Sequence, residues 1–412
     1  MASMTPTRDS FERTGLKTAH GQIVNLPTHQ AKNIFIGTTD VVRVYSANST
    51  GSFSGYSEFV LDPNGLPNVV EKLTLAVTLG AGTKTGGSNI SLVNDGVWLN
   101  RLIEVSIGSE LVSTIYPEAA YINGLVHKTA EDKFMTMVAG GNDTLAHRQT
   151  KAATGQTLYL DLQIPFIQKY GHLSASHSAQ LRIKLFHADL SAIVQTDGTA
   201  PVMAIQSVAL HVSGRQYIEQ ANVQALVNMQ KKLGKVSQRY LDVVQQQFSL
   251  TSGSASYTLQ MTNVVGLVDH LYFVIRAASS TGTPLANAPD AFLACQSYNL
   301  KDSAGNLLIA EMPSAYALGP YLRKYIKGDA TDVASGLGSV QKYVYPIYFG
   351  SRPYESITKG TTHGHIKLDG LSKLQVTFAS AIQANYTVDV IARVWSDISA
   401  DANGQVKKSI LA

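Results

Sequence analysis

The stretch Val70-Glu71-Lys72-Leu73-Thr74-Leu75-Ala76-Val77 returns 198 positions later as Val268-Asp269-His270-Leu271-Tyr272-Phe273-Val274-Ile275. Side chains on a strand point to opposite faces in turn, so a run such as Leu73, Leu75 and Val77 predicts a strand with one core face. Four more pairs follow in the same order. Tyr121-Ile122-Asn123-Gly124 matches Tyr316-Ala317-Leu318-Gly319, and Ile164-Pro165-Phe166 matches Ile347-Tyr348-Phe349 more loosely. Leu181-Arg182-Ile183-Lys184-Leu185 matches Leu374-Gln375-Val376-Thr377-Phe378, and Val208-Ala209-Leu210-His211-Val212 matches Val390-Ile391-Ala392-Arg393-Val394. Any one pair could arise by chance between alternating strands. Five in order, with offsets confined to 182–198, imply two similar units in tandem.

The same period-two alternation runs through Ile103, Val105 and Ile107, through Leu158, Leu160, Leu162 and Ile164, and through Val388, Val390, Ala392 and Val394. Turn chemistry separates the runs: Asp62-Pro63-Asn64-Gly65, Gly80 to Gly87, Asn94-Asp95-Gly96, Asp302 to Asn306, and Asp369-Gly370. Many strands and few helices make this an all-β chain of the sandwich or jelly-roll kind. One stretch departs from the pattern. From Tyr217 to Gln247 the composition turns to Gln, Val, Leu, Ala and Lys, and Val223, Leu226, Val227 and Met229-Gln230 suggest helix. The expected organisation is therefore a flexible N-terminal arm (1–30), a first β domain (31–216), a helical or mixed connector (217–247) and a second β domain (248–412).

The totals agree. At 412 residues the chain is long enough for two independent cores. Only 15% of residues are charged and the net charge is +4 with no Lys/Arg run. A nucleic-acid-condensing arm needs such a run, so direct sequence-specific nucleic-acid binding is not expected. The single cysteine, Cys295, excludes an intrachain disulfide. Residues 1–30 contain no apolar signal-peptide core, and no apolar stretch reaches the ~18 residues of a bilayer span. Four sequons, at Asn48, Asn89, Asn142 and Asn385, are read as chance matches.

Catalytic signatures are missing: there is no Gly-x-Ser-x-Gly elbow, Walker loop, His-Glu-x-x-His or Cys-x-x-Cys. Lys84, within Gly80 to Gly87, lacks phosphate-loop spacing and reads as a hairpin tip. His363-Gly364-His365 could place two imidazoles on one face of a strand, as metal sites do, but Lys367 and Asp369 stand where a carboxylate ligand would follow. His172 and His177 read as turn and loop residues, and His127, His147, His187, His211 and His270 as scattered. Glu104, Asp161 and Glu311 are isolated strand-face carboxylates, not a glycosidase pair. Tyr321, Tyr325, Tyr343, Tyr345, Tyr348 and Tyr354, near Arg323, Lys324 and Lys327, suit packing and contact between subunits. No catalytic, cofactor-binding or metal-binding residue is assigned, and no enzyme activity or cofactor is expected.

Several blocks resemble the double jelly-roll major capsid proteins of large DNA viruses, virophages and their relatives. They are Leu102 to Val112 with Tyr116 and Tyr121 to His127, Leu162 to Phe166 with His172-Leu173, Arg215 to Gln247 with the ending Gln245-Gln246-Gln247-Phe248, Val268 to Arg276, Tyr343 to Ser351, and Lys359 to Ile366. The Pro-Ser-Gly and Asn usual in the last block are absent. The resemblance implies two tandem eight-stranded jelly-roll β-sandwiches with short helical insertions. It implies a structural shell subunit, not an enzyme, that forms pseudo-hexameric homotrimers tiling an icosahedral capsid. Its partners would be neighbouring capsomers, penton and minor capsid proteins, and, in some shells, an internal membrane. It implies residence in the virion after assembly inside the host cell, with loops on the outer rim and termini toward the interior. The alternative is a carbohydrate- or receptor-binding β-sandwich protein such as a fibre or lectin.

Overall fold

The computed structural model describes residues 38–92, 96–127, 145–170, 172–173, 179–218, 223, 228, 235–277, 292–321, 343–350, 364–401 and 405–411. The first unit holds β1 (Thr38–Ser46), β2 (Tyr56–Leu61), β3 (Val69–Leu79), β4 (Thr83–Thr85), β5 (Ile90–Leu92), β6 (Asn100–Ile107), β7 (Glu110–Ile115), β8 (Gln156–Asp161), β9 (His172–Leu173), β10 (Leu181–His187), β11 (Val194–Thr196), β12 (Thr199–Val202) and β13 (Ile205–Tyr217). The second holds β14 (Lys235–Leu250), β15 (Ser256–Gln260), β16 (Val265–Ala277), β17 (Ser297–Lys301), β18 (Leu307–Pro313), β19 (Tyr345–Tyr348), β20 (Ile366–Asp369), β21 (Lys373–Thr377), β22 (Tyr386–Asp401) and β23 (Val406–Ile410).

In the first unit the sheet β1-β13-β3-β8 faces the sheet β2-β10-β6-β7; in the second, β14-β22-β16-β19 faces β15-β21-β17-β18. Counting only these eight framework strands of each unit, both read 1-8-3-6 and 2-7-4-5, the jelly-roll order. The facing sheets close on Phe59, Leu75, Val77, Val105, Ile183 and Leu210 in one barrel. In the other they close on Leu259, Leu271, Phe273, Tyr298, Val376 and Val390. Each such side chain taken from water contributes roughly 1.5–3 kcal/mol.

Antiparallel framework strands reverse direction at every step, so connections alternate between two ends. Residues 47–55, 80–99, 116–155 and 188–204 join strands at one end of the first barrel, and the shorter 62–68 and 108–109 with 162–180 at the other. At the long-loop end β4 pairs with β12 and β5 with β11, tying two loops together. At the opposite end Gly108, with φ +62, begins the two-residue turn between Ile107 and Glu110. An even strand count returns the chain to its starting end. The start of β1, the end of β13, the start of β14 and the end of β22 therefore share the short-turn end.

The repeat is real but its slide is not always the one sequence suggests. β3 and β16 are true counterparts. Leu210, however, pairs with Leu75 while Val390 pairs with Phe273, so Leu210 corresponds to Val390 and not to Ala392. Leu162 N–H bonds Leu73 O as Ile347 pairs with Leu271, so Leu162, not Ile164, matches Ile347. A slip of two keeps every side chain on its face, and alternation alone cannot detect it.

The connector is a correction. Lys235–Gln247, expected as helix or mixed connector, is the first thirteen residues of β14, paired from Lys235↔Asp401 to Gln247↔Asp389. Val223 and Asn228 are helical; the rest of 219–234 lies outside the described residues, as does the N-terminal arm.

Candidate functional site

The largest built feature between the units is the joint where the second barrel's outer sheet face meets the first barrel. Its origin is visible in the twin strands. On β3, Leu73, Leu75 and Val77 are buried, Lys72 is exposed and Thr74 is half-buried. On β16 the corresponding His270, Tyr272 and Val274 are buried as fully as Leu271, Phe273 and Ile275. A strand covered on both faces is apolar on both, which is why His270-Leu271-Tyr272-Phe273-Val274-Ile275 carries no lysine. Tyr272, Val274, Ile391 and Val243 belong to the same continuous core as the first barrel's Leu160, Phe166 and Ile122.

Each end of this joint holds a buried charge cluster. At the long-loop end, Arg276 on β16 reaches Glu118 at 2.9 Å and Asp389 on β22. Glu118 is the second residue of the helix Pro117–His127, which follows β7. Gln245 donates to Glu118 Oε2 (3.3 Å) and Gln247 to Asp389 Oδ1 (2.8 Å). Burial pushes the Glu118 carboxyl up, with Arg276 pulling the other way. Burial would lower the Arg276 guanidinium, but Glu118 and Asp389 outweigh it and hold it up.

At the short-turn end, Lys408 on β23 pairs with the buried Asp242 on β14, and Ser113 donates to Asp242 Oδ1 (3.1 Å). Lys408 N–H donates to Glu110 Oε1 at 2.9 Å. Burial raises the Asp242 carboxyl against the pull of Lys408. On the other side of Asp242, toward the start of β14, Tyr240 donates to Val112 O (2.7 Å) and Gln238 Nε2 to Phe166 O (2.6 Å), with the Phe166 and Tyr240 rings edge to face. The joint thus fixes the two barrels by a dry centre and a charged clamp at either end.

The residues singled out by chemistry are dispersed. Lys84 lies on β4, 3.7 Å from Asp197, in a two-loop sheet instead of at a simple hairpin tip. His365 is exposed, while His363 and His177 lie outside the described residues, and His172 pairs with Val70. Among the described residues no three His, Cys, Asp or Glu side chains gather as a metal site. Glu104, Asp161 and Glu311 stand on three different sheets, Asp161 paired with Lys72 at 3.0 Å and Glu311 accepting from Ser297 at 2.8 Å. Tyr345 and Tyr348 are core residues and Tyr321 and Tyr343 pack on the core; the other aromatic and basic residues of that segment lie outside the described residues. A cavity of about 20 Å³ between Asn100, Ile103 and Leu160 has room for about one water, not for a substrate.

One constellation escaped the sequence reading. Ser57 Oγ lies 2.7 Å from His187 Nε2, and His187 Nδ1 lies 3.1 Å from Asn100 Oδ1. Serine, imidazole and an orienting side chain in that order resemble a hydrolase triad. All three are sealed, at 0%, 1% and 3% exposure, and Gly51 N–H already donates to Ser57 Oγ. The arrangement braces the β1–β2 loop against β10 and β6. Sequence separations of 130 and 87 hide it from any motif search. Burial holds the His187 imidazole down at about 4. An unfolded histidine titrates near 6.5, so the unfolded chain binds the extra proton between pH 6.5 and 4. The brace is at full strength above pH 6.5 and is expected to lose on the order of 2 kcal/mol by pH 4. Denaturant titrations of wild type and His187→Phe across that range read this directly: their difference should shrink as pH falls, and a constant difference would refute it.

No family model matches the chain, and no curated protein matches it in sequence. Solved structures do match. VP54 of PBCV-1 superposes with a TM-score of 0.68 at 11% identity, covering 91% of this chain and 97% of VP54. The Faustovirus major capsid protein gives 0.67 at 9% identity, over 99% and 94% of the two chains. The Sputnik virophage structure gives 0.62 at 10% identity, over 92% and 89%. The fold is that of the double jelly-roll major capsid proteins. The double jelly-roll resemblance read from diffuse strand patterns is thereby matched along nearly the whole chain, with both barrels included.

Proposed function

We propose that this chain is the major capsid protein of a virus, a structural subunit and not an enzyme. The observation that carries the reading is the tandem of two barrels with one strand order, locked side by side by a double-clamped joint. Near-equal units in a rigid pair let a three-fold object present six similar faces to its neighbours, as a tiled shell requires. The match to capsid proteins over both barrels supports the same role. In this reading the subunits form homotrimers of pseudo-hexagonal outline, and the trimers pack with neighbouring capsomers and with penton and minor capsid proteins in the virion. The shared short-turn end, where the N-terminal arm departs, faces the shell interior or an underlying membrane, and the long loops face outward. The units run as an arm to residue 30, a first barrel to about Tyr217 and a second from Lys235. Light scattering on the size-fractionated protein, followed by negative-stain imaging, tests this. Trimers with a hexagonal outline that form arrays are expected. A monomer without lattice would sink the proposal, and a small discrete oligomer that binds glycans would favour the lectin alternative.

A further inference from the structure

Covered positions on the second barrel's outer sheet face should be apolar, as Val274 and Ile391 are. Two directly opposed positions break that rule. His270 on β16 pairs with Arg393 on β22, and the two residues are 0% and 5% exposed. The register skips Asp269 at that point, a bulge that turns this fully buried carboxylate back onto its own neighbour. Asp269 Oδ1 lies 2.7 Å from His270 Nδ1. The first barrel has the same bulge, at Glu71, where Ser213 pairs with Lys72. There Lys72 and Glu71 are exposed, the first paired with Asp161 and the second with Arg215. The uncovered twin keeps its charges in water, while the covered one holds three ionisable groups out of it. An apolar pair at 270 and 393 would join the barrels without that desolvation.

The surroundings leave His270 little tolerance for a proton. The Tyr272 and Tyr348 rings pack on the imidazole with centroids at 5.3 and 5.8 Å, and their hydroxyls bond each other at 3.0 Å. Tyr321 Oη accepts the Tyr348 N–H at 3.0 Å. From β22 comes the Arg393 charge, which Tyr272, Asp242 on β14 and Asp269 favour through space. Asp242 is itself taken by Lys408 on β23. Across the joint, Glu110 on β7 accepts from the Lys408 N–H, and Tyr116 lies within electrostatic reach of Asp242. On β20, Lys367 and Asp369 are exposed. With His270 neutral, Asp269 balances Arg393 and Asp242 balances Lys408. A proton on His270 leaves one positive charge over, buried beside Arg393. Burial holds the imidazole below its ordinary value against the pull of Asp269, and Arg393 adds to the lowering.

We infer that the Asp269–His270–Arg393 group is an acid-operated release for the joint, in which protonation of His270 frees the covered sheet face from β7 and the helix that follows it. A histidine whose folded value lies below its unfolded value of about 6.5 gives its full stability above that pH. That stability is lost as pH falls toward the folded value, because the open form takes up the proton. The joint lies within one chain, so the release holds whether or not subunits assemble. In a shell built from this chain it makes acidification a signal for loosening.

His187 weakens its own brace in the same pH range, so the readout must be local to the joint. Hydrogen–deuterium exchange of the full chain at pH 7.5 and 5.5, corrected for intrinsic rates, provides it. Peptides from β7 and β14, which face each other, should lose protection about tenfold, the limit for one proton taken up between pH 6.5 and 5.5. Peptides from β17 and β21, inside the second barrel, should lose none. His270→Gln retains a bond to Asp269 without a titrating group and should abolish the drop, whereas His187→Phe should leave it. Arg393→Met removes the opposing cation, so His270 can hold its proton in the closed joint and the drop should shrink. No drop in wild type overturns the release. So does an equal drop in His270→Gln or Arg393→Met, or one shared equally by β17 and β21.

Discussion

Replacing Arg276 by methionine is expected to destabilise the folded chain by about 3–5 kcal/mol, the cost of leaving buried carboxylates without their cation. The side chain is of similar length, so the loss is electrostatic and not a packing void. Arg276 lies between Glu118 from the first barrel and Asp389 from its own sheet, and Asp389 is fully buried. Gln245 and Gln247 supply neutral donors, which cannot replace a full charge. Adding Glu118→Gln and Asp389→Asn should recover most of the loss, since a neutral cluster of the same shape carries no unpaired charge. Equilibrium unfolding in guanidinium chloride measures both. A single-variant loss under about 1 kcal/mol, or a triple variant as weak as Arg276→Met, would show that the clamp does not hold the barrels. Uncoupling the barrels should also split the single transition into two.

How much of this was legible beforehand follows from what each signal can encode. Period-two alternation identified strands, and ordered pairs of strands identified the repeat, because both depend on residues close in sequence. Alternation fixes faces only modulo two, so the eighth framework strands β13 and β22 were aligned two residues out of step with Leu210 and Val390 still pointing inward. Lys235–Gln247 was misread because a strand with polar and apolar residues on both sides, Gln238, Tyr240, Asp242 and Gln245 among them, has no clean alternation. Its side chains answer to β22, to the first barrel and to β23 in turn, and none of those partners is local. The joint itself had one faint sequence trace, the replacement of Lys72 and Thr74 by His270 and Tyr272 in the twin strand. The Ser57–His187–Asn100 brace had none.

The tandem design also explains why the two barrels have diverged. A free single barrel could keep both sheet exteriors polar. Once joined, one exterior face of the second barrel becomes core and one exterior face of the first stays surface. The sequences therefore differ on outward positions of equivalent strands: Lys72 against His270, Thr78 against Arg276, Ala209 against Asp389. Inward positions stay aliphatic or aromatic in both. Divergence between the repeats marks which surface is already occupied.

The second clamp should respond to pH, and in a direction that can be stated. Lys408 is the cation facing Asp242, with Ser113 donating beside it. Burial already raises the Asp242 carboxyl above its ordinary value, and Lys408 opposes this. In Lys408→Met that opposition is gone and the carboxyl rises further. A carboxyl whose folded value exceeds its unfolded value favours the folded state below the unfolded value and loses that advantage as pH rises through the folded one. At pH 5, about one unit above the ordinary aspartate value, the variant folds with Asp242 protonated and should lose only about 1.5 kcal/mol. Each further pH unit costs about 1.4 kcal/mol until the folded value is passed, reaching about 3–5 kcal/mol for an uncompensated buried charge at pH 8. Asp242→Asn in the same background should flatten the dependence, because asparagine keeps the shape and the bond to Ser113 without the charge. Unfolding free energies of the three proteins at pH 5, 6.5 and 8 decide it. Equal losses for Lys408→Met at pH 5 and pH 8 would mean that this end of the joint is held by the bonds from Ser113 to Asp242 and from Lys408 N–H to Glu110, and that the ion pair is incidental.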